Sequence, residues 1–241
     1  MKLNCDLGES FGNWAMGLDE QVMPFIDQAN IACGFHAGDP LVMHKTLSLA
    51  KKNNVSIGAH PGYPDLVGFG RRSIKCSPNE ITAMILYQIS AIDGVAKSLG
   101  LEVEYVKPHG ALYNDMMVTK DVRNAIFLAL ENYYRPLKLM IQATIDIEKH
   151  KAEAKIFNVE IISEVFADRC YDDNGKLLPR EIAGAVHNQC DMLSQVKQLV
   201  EKGSVTTLNG KELILDADSL CVHGDNIEGV RAIKSIRELI G

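Results

Sequence analysis

The feature that most constrains this chain is the alternation of short apolar runs with longer stretches of helical periodicity. The short runs have strand-like composition and lie near residues 2–6, 28–33, 55–59, 103–107, 137–142, 159–165 and 219–223. Strands that alternate with amphipathic helices form parallel βα units. We therefore predict an α/β fold with seven parallel strands.

Several predicted helices have clear end signals. Asp39-Pro40 combines an N-cap with proline at the first helical position. Ser77-Pro78-Asn79-Glu80 is a capping box whose helix should stop at Gly100. Further helices are expected from Asn188 to Lys202, closed by Gly203, and from Asn226 onwards.

One segment, near residues 204–215, interrupts the alternation. Val205–Leu208 and Lys211–Leu215 flank Asn209-Gly210, which suits a type I′ hairpin, so we predict a surface excursion before the last barrel strand. No linker-like tract divides the chain. We predict that residues 1–241 form a single (β/α) barrel catalytic domain. An open doubly wound sheet is the alternative, because strand order cannot be deduced from sequence.

Composition excludes several classes of protein. The formal net charge is −6 and no Lys/Arg stripe is present, which argues against nucleic-acid binding. No run of about 18 apolar residues predicts a membrane span, and Met1–Asp6 has no signal-like apolar run. The six scattered cysteines form no C-x-x-C pair, so we expect reduced, buried thiols. We expect a cytoplasmic location.

Polar residues follow nearly every predicted strand. Parallel βα folds place their catalytic groups at the carboxyl ends of strands, and four of the seven histidines fall there, followed closely by glycines. Asp39 is interpreted first as a helix cap, and Asp225 also fits a turn. The residues that we expect on one rim are Asp6, Glu9, His36, His60, Lys107, His109, Glu164, Asp168, Arg169, His223 and Asp225.

Two kinds of chemistry fit this rim. Asp6, His36 and His60 could ligate a divalent metal that keeps an open position. Alternatively, Asp6 or Glu9 is a general base, His60 or His109 an acid, and Lys107 holds an anion. No H-x-H or H-E-x-x-H pair supports a metal, and no G-x-S-x-G elbow supports a serine nucleophile. The choice stays open.

Two glycine-containing stretches resemble phosphate sites at first sight. Gly68-Phe69-Gly70-Arg71-Arg72 could bind a carboxylate or phosphate through its guanidinium groups, or be a solvated loop. Gly203 to Glu212 lacks the spacing of a P-loop and has Glu after Lys211. The chain therefore contains no P-loop.

Taken together, six long segments resemble the LamB/YcsF family, which comprises the A subunit of bacterial ATP-dependent 5-oxoprolinases. They span the chain from end to end. The matching segments are Asn4–Gly17, Ala29–Pro40, Ile57–Ser73, Val106–Asn114, Glu164–Tyr171 and Cys221–Asp225.

The resemblance implies a distorted seven-stranded (β/α) barrel similar to polysaccharide deacetylases. It also implies hydrolysis of 5-oxo-L-proline to L-glutamate, coupled to hydrolysis of ATP to ADP and phosphate. ATP is then a co-substrate, expected with Mg²⁺, and subunits B and C are partners. The loop Gln142–Ile145 departs from the small Gly/Ser-rich loop of the family, so no role is assigned to it.

This reaction leads to expected roles. The expected catalytic residues are Asp6, Glu9, His60, Lys107 and His109. The expected substrate-binding residues are His36, Arg71, Glu164, Asp168, Arg169, His223 and Asp225. Lys107 and His109 are expected on the rim rather than in the core, so that alanine there abolishes turnover without unfolding. A non-catalytic 5-oxoproline-binding subunit and a metal-dependent amidohydrolase or deacetylase that needs no ATP remain alternatives.

Overall fold

In the computed structural model, which describes residues 1–241, seven parallel strands close into a barrel. The strands of the chain are β1 (Lys2–Leu7), β2 (Gln28–Ala32), β3 (Ser56–His60), β4 (Val103–Val106), β5 (Lys138–Gln142), β6 (Ile161–Phe166), β7 (Ser204–Thr206), β8 (Glu212–Ile214) and β9 (Ser219–His223). The barrel order is β1-β2-β3-β4-β5-β6-β9. All seven predicted barrel strands are confirmed. The open-sheet alternative is wrong, because β9 pairs with both β1 and β6.

Eight α-helices follow or precede the strands. They are α1 (Asp19–Val22), α2 (Pro40–Asn53), α3 (Pro78–Ser98), α4 (Gly110–Val118), α5 (Lys120–Glu131), α6 (Ile147–Lys155), α7 (Gln189–Lys202) and α8 (Ile227–Ile240), and a 3-10 turn spans Met23–Phe25. The predicted caps are confirmed. Asp39 accepts hydrogen bonds from the backbone of Leu41 and Val42, and both halves of the Ser77–Glu80 capping box are formed.

The predicted hairpin is confirmed, but its turn type is wrong. β7 and β8 form a separate antiparallel sheet joined by residues 207–211. A type I′ turn needs positive φ at both central residues, whereas Gly210 has φ +82° and Asn209 has no positive φ. The Asn209 side chain instead donates to Asp173, 2.9 Å away, which fixes the loop by another contact.

The inside of the barrel is polar. Tyr105 on β4 donates to Asn30 on β2 at 2.6 Å, and these strands are not neighbours, so the contact crosses the interior. Asn30 donates to Asn4, which donates to Ser219. A Cβ at Gly58 would lie 2.3 Å from the Tyr105 ring. Glycine at 58 therefore makes room for the ring, and the network satisfies its buried polar groups.

The six cysteines are free, as expected. Four are buried, but Cys76 is only half-buried and Cys190 is exposed, so the expectation of uniformly buried thiols is wrong for these two. Cys190 lies in the first turn of α7, where the polar face of the helix meets solvent. None of the helices has both the length and the apolar character needed to cross a bilayer.

Candidate active site

A cavity of about 460 Å³ lies at the carboxyl ends of the barrel strands. Its floor is built by residues in or directly after the strands, and one wall comes from the irregular segment after β6. The polar side chains that line it include Asp6, His60, Arg71, Lys107, His109, Tyr113, Gln142, Arg169, Lys176, Arg180 and His223. The cavity size is within the roughly 300–1,000 Å³ typical of small-molecule sites.

Lys107 forms an ion triad below the cavity. Its Nζ lies 2.9 Å from Asp6 Oδ1, 3.0 Å from Glu164 Oε2 and 3.1 Å from Cys221 Sγ. Burial alone lowers the Lys107 pKa, but the neighbouring Asp6, Cys221 and Glu164 outweigh it and raise that pKa well above its usual value. Lys107 is only 2% exposed. The expectation that it lies outside the core is wrong, because its ammonium neutralises carboxylates inside the barrel.

Asp6 lies between two strands that pair with β1. Its backbone is in register with Asn30 on β2 and His223 on β9. Oδ1 accepts from Asn30 at 2.7 Å as well as from Lys107, while Oδ2 lies 3.5 Å from His60 Nε2. Burial raises the Asp6 pKa, but Lys107 and His60 outweigh it and hold that pKa well below its usual value. Asp6 is therefore an ionised carboxylate.

His223 and Asp168 form an oriented pair. His223 Nδ1 lies 2.9 and 3.0 Å from the two Asp168 oxygens, and Asn226 donates to the same carboxylate. Burial opposes ionisation of Asp168, but His223 outweighs it and lowers the Asp168 pKa to about 2. Because the carboxylate accepts, Nδ1 carries the hydrogen. Nε2 then lies on the side of Asp6, 4.0 Å from its Oδ2.

A second group, which we call the histidine cluster, consists of Glu9, His36, His60 and His109. Its members are all buried, and one potential ligand atom from each lies within 4.8 Å of the others. His60 Nε2 and His109 Nδ1 are 2.9 Å apart. Burial raises the pKa of Glu9 and lowers the pKa values of His36 and His109. The cluster thus favours neutral imidazoles.

The glycine-rich segment Gly68–Arg72 lies against this cluster. Phe69 adopts φ +53°, which is strained for a residue with a side chain, and its carbonyl accepts from His109 Nε2 at 2.8 Å. A Cβ at Gly70 would lie 2.7 Å from His36 Cβ. Glycine at 70 therefore allows the close approach. The Arg71 guanidinium pairs with Asp225 at the cavity, whereas Arg72 pairs with Asp65.

The structure sorts the metal candidates into different groups. His36 and His60 belong to the histidine cluster, whereas Asp6 forms a neighbouring group with Cys221 and His223. Glu164 lies inside the barrel as a partner of Lys107 and is fully buried. Sequence reasoning had placed these side chains on one rim without distinguishing the two groups.

Other side chains at the cavity were missed by sequence reasoning. Lys176 and Arg180 come from the irregular segment 170–188, which contains no motif that could have identified them. Arg180 Nη1 lies 3.8 Å from Asp225 Oδ2. Gln142, to which no role was assigned, lines the cavity and donates to Gly175. The amides Asn4 and Asn30, placed in otherwise apolar strands, did offer a signal of a polar barrel interior.

The family is decided by similarity along the whole chain. A sequence profile of the LamB/YcsF family matches residues 1–241. The chain belongs to the LamB/YcsF family. Its resemblance to that family, first inferred from six segments, is thereby confirmed.

Individual LamB/YcsF relatives agree with this assignment. The 5-oxoprolinase A subunit of Vibrio campbellii is 52% identical over 239 residues, covering 99% of this chain and 94% of the relative. The 5-oxoprolinase A subunit of Pseudomonas fluorescens is 50% identical, with 99% and 96% covered. The crystal structure of the lactam utilization protein from Thermus thermophilus superposes with a TM-score of 0.90 at 36% identity, covering 100% of this chain and 95% of that one.

Proposed function

We propose that this chain is the lactam-hydrolysing A subunit of an ATP-dependent 5-oxoprolinase, which forms L-glutamate from 5-oxo-L-proline together with subunits B and C. Relatives that carry this name are about half identical over nearly the whole chain. The observation that carries the proposal is the facing pair of Asp6 and His223 at one cavity, with Asp6 Oδ2 4.0 Å from His223 Nε2. A carboxylate and an oriented imidazole together suit acid–base hydrolysis.

The charges of the cavity fit this substrate. 5-Oxoproline has one carboxylate beside its five-membered lactam. The wall carries the cations Arg71, Arg169, Lys176 and Arg180, which favour an anionic ligand. Arg169 is the best candidate to bind the carboxylate, because its buried Nε has no hydrogen-bond partner, and a guanidinium pairs well with a carboxylate.

The proposed reaction divides the labour among three residues. A water oxygen attacks the lactam carbon while Asp6 accepts the water proton, and His223 donates a proton to the ring nitrogen as the C–N bond breaks. Lys107 keeps Asp6 ionised and adds positive charge near the developing oxyanion. ATP, with Mg²⁺, is the co-substrate that offsets ready re-closure of the ring. Because the chain has no P-loop, we assign ATP binding to subunits B and C.

The test is glutamate release from 5-oxoproline by the chain alone, with ATP, and with ATP plus subunits B and C. We expect glutamate only in the complete mixture and negligible ATPase activity of the isolated chain. Micromolar binding of Mg-ATP together with substrate-stimulated hydrolysis by this chain alone would place the ATP site here. A metal-dependent amidohydrolase is the second candidate, favoured by the histidine cluster, and it would release glutamate without ATP.

A further inference from the structure

The histidine cluster is left unused by the proton transfers described above. It lies beside the cavity, because His60 and His109 line the cavity wall while Glu9 and His36 lie behind them. All four side chains are at least nine-tenths buried. A buried group of three imidazoles and a carboxylate needs a physical reason to exist, since buried polar groups are costly unless they are paired.

The hydrogen bonds of two histidines fix where their lone pairs lie. His60 Nδ1 is 2.6 Å from the Lys107 carbonyl oxygen, and His109 Nε2 is 2.8 Å from the Phe69 carbonyl oxygen. A carbonyl only accepts, so both nitrogens carry hydrogen. In the neutral rings His60 Nε2 and His109 Nδ1 are then both lone pairs, 2.9 Å apart. They repel unless a positive charge lies between them.

The other two members have no partners for the atoms in question. Glu9 Oε1 and both ring nitrogens of His36 are buried without any hydrogen bond. Glu9 Oε1 lies 3.6 Å from His36 Nε2 and 3.5 Å from His109 Nδ1. Ligand atoms about 2.0–2.1 Å from a tetrahedral ion lie roughly 3.3–3.4 Å from one another. The unpartnered atoms therefore have nearly the spacing of a coordination shell.

We propose that the histidine cluster binds one divalent transition-metal ion of the zinc class. Three imidazole nitrogens and one carboxylate oxygen suit zinc and its neighbours, whereas Mg²⁺ and Ca²⁺ prefer oxygen ligands. The carbonyl contacts of His60 and His109 orient these rings as outer hydrogen bonds do in metal sites. The ion lies next to His60, 3.5 Å from the Asp6 carboxylate, and so adds positive charge beside the reacting groups.

Binding requires a small movement of one ring. The His36 and His109 rings are stacked in parallel with 3.7 Å between centroids, so their in-plane lone pairs do not converge on one point. Tilting His36 brings its lone pair towards Glu9 and breaks no hydrogen bond, because neither ring nitrogen has a partner. Gly62 leaves the room for this ring, since a Cβ there would lie 2.7 Å from His36 Nδ1.

The experiment is calorimetric titration of the whole chain, stripped with a chelator, with Zn²⁺ and separately with Mg²⁺. We expect one Zn²⁺ per chain with a micromolar or lower Kd, and no detectable Mg²⁺ binding at the same concentrations. Glu9→Gln and His36→Asn should each weaken Zn²⁺ binding at least about 100-fold, since even an outer partner is worth ~10–100-fold. His150→Asn removes a buried histidine on α6 outside the cluster and should leave Zn²⁺ affinity unchanged.

A spectroscopic measurement covers the case in which a variant fails to fold. Co²⁺ added to the stripped wild-type chain should give visible ligand-field bands at one equivalent, and Zn²⁺ should abolish them. The absence of such bands, or Zn²⁺ affinity unchanged in folded Glu9→Gln and His36→Asn, overturns the proposal. Neither result depends on 5-oxoproline turnover, so the metal site and the proposed function fail separately.

Discussion

The Nζ atom of Lys107 lies 2.9 Å from Asp6 and 3.0 Å from Glu164, so one ammonium joins β1 and β6, which do not pair with each other. The triad is buried below the cavity. Buried ions are stable only when they are mutually compensated. The same contact therefore holds the barrel together and keeps the proposed catalytic carboxylate ionised.

Lys107→Ala should lower the free energy of unfolding by about 3–5 kcal/mol, because it leaves two buried carboxylates without a cation. Urea denaturation followed by circular dichroism measures the change. Lys138→Ala is the matched control, since Lys138 forms an exposed pair with Glu160, and pairs of that kind contribute at most about 1 kcal/mol. Equal stability of the two variants would contradict the buried triad.

Asp168→Asn should reduce kcat by about 10²–10⁴-fold in the assembled enzyme, because His223 loses the acceptor that keeps the hydrogen on Nδ1. Steady-state kinetics of glutamate formation measure it, with thermal unfolding as the check on folding. Asp121→Asn, on the exposed first turn of α5, is the control and should not alter kcat. A folded Asp168→Asn variant with kcat within about twofold of wild type would exclude this role of His223.

Gly58→Ala should destabilise the barrel by about 1–3 kcal/mol, because the new methyl group meets the Tyr105 ring, which cannot leave without breaking its hydrogen bond to Asn30. Gly94→Ala provides the contrast. Gly94 lies within α3, and nothing lies within 4 Å of the place that a methyl group would take there, so alanine should stabilise by up to about 1 kcal/mol. Chemical denaturation of both variants distinguishes crowding from a general effect of alanine.

The pH dependence of stability should include a contribution from Asp93, far from the strand ends. Burial opposes its ionisation, but hydrogen bonds from Tyr134, Tyr133 and Arg135 outweigh burial and lower the Asp93 pKa to about 2. The unfolded value is about 3.9, so the stabilisation of about 2–3 kcal/mol is complete above about pH 5 and is lost as pH falls towards about 2.

Asp93→Asn should accordingly be less stable than wild type at pH 7, and the difference should shrink towards pH 2. Denaturant titrations at several pH values measure this. Glu102→Gln, which replaces an exposed carboxylate, should show no such pH-dependent difference. A constant difference between Asp93→Asn and wild type from pH 7 to 2 would show that ionisation of Asp93 is irrelevant.

The barrel itself could be predicted because strand and helix signals are local. Ser77, Asp39 and Gly203 mark helix ends through contacts within a few residues. The turn at Asn209 failed because a distant partner, Asp173, holds its side chain.

The site was harder to predict than the fold. Strand ends identified most of the polar side chains at the cavity, but not which ones meet. Whether Asp6 contacts Lys107 or His36 depends on strand register and ring orientation, which sequence spacing does not determine. Arg180 was missed because it reaches the cavity from an irregular segment without periodicity.

The most direct test of the account is glutamate formation by the complete enzyme assembled with Asp6→Asn in place of this chain. Asn keeps an oxygen acceptor for Asn30 and Lys107 but cannot take a proton from water. We expect the variant complex to assemble and bind 5-oxoproline, while kcat falls by at least about 100-fold. Turnover at the wild-type rate would contradict the account and make this chain a binding subunit whose partners perform the chemistry.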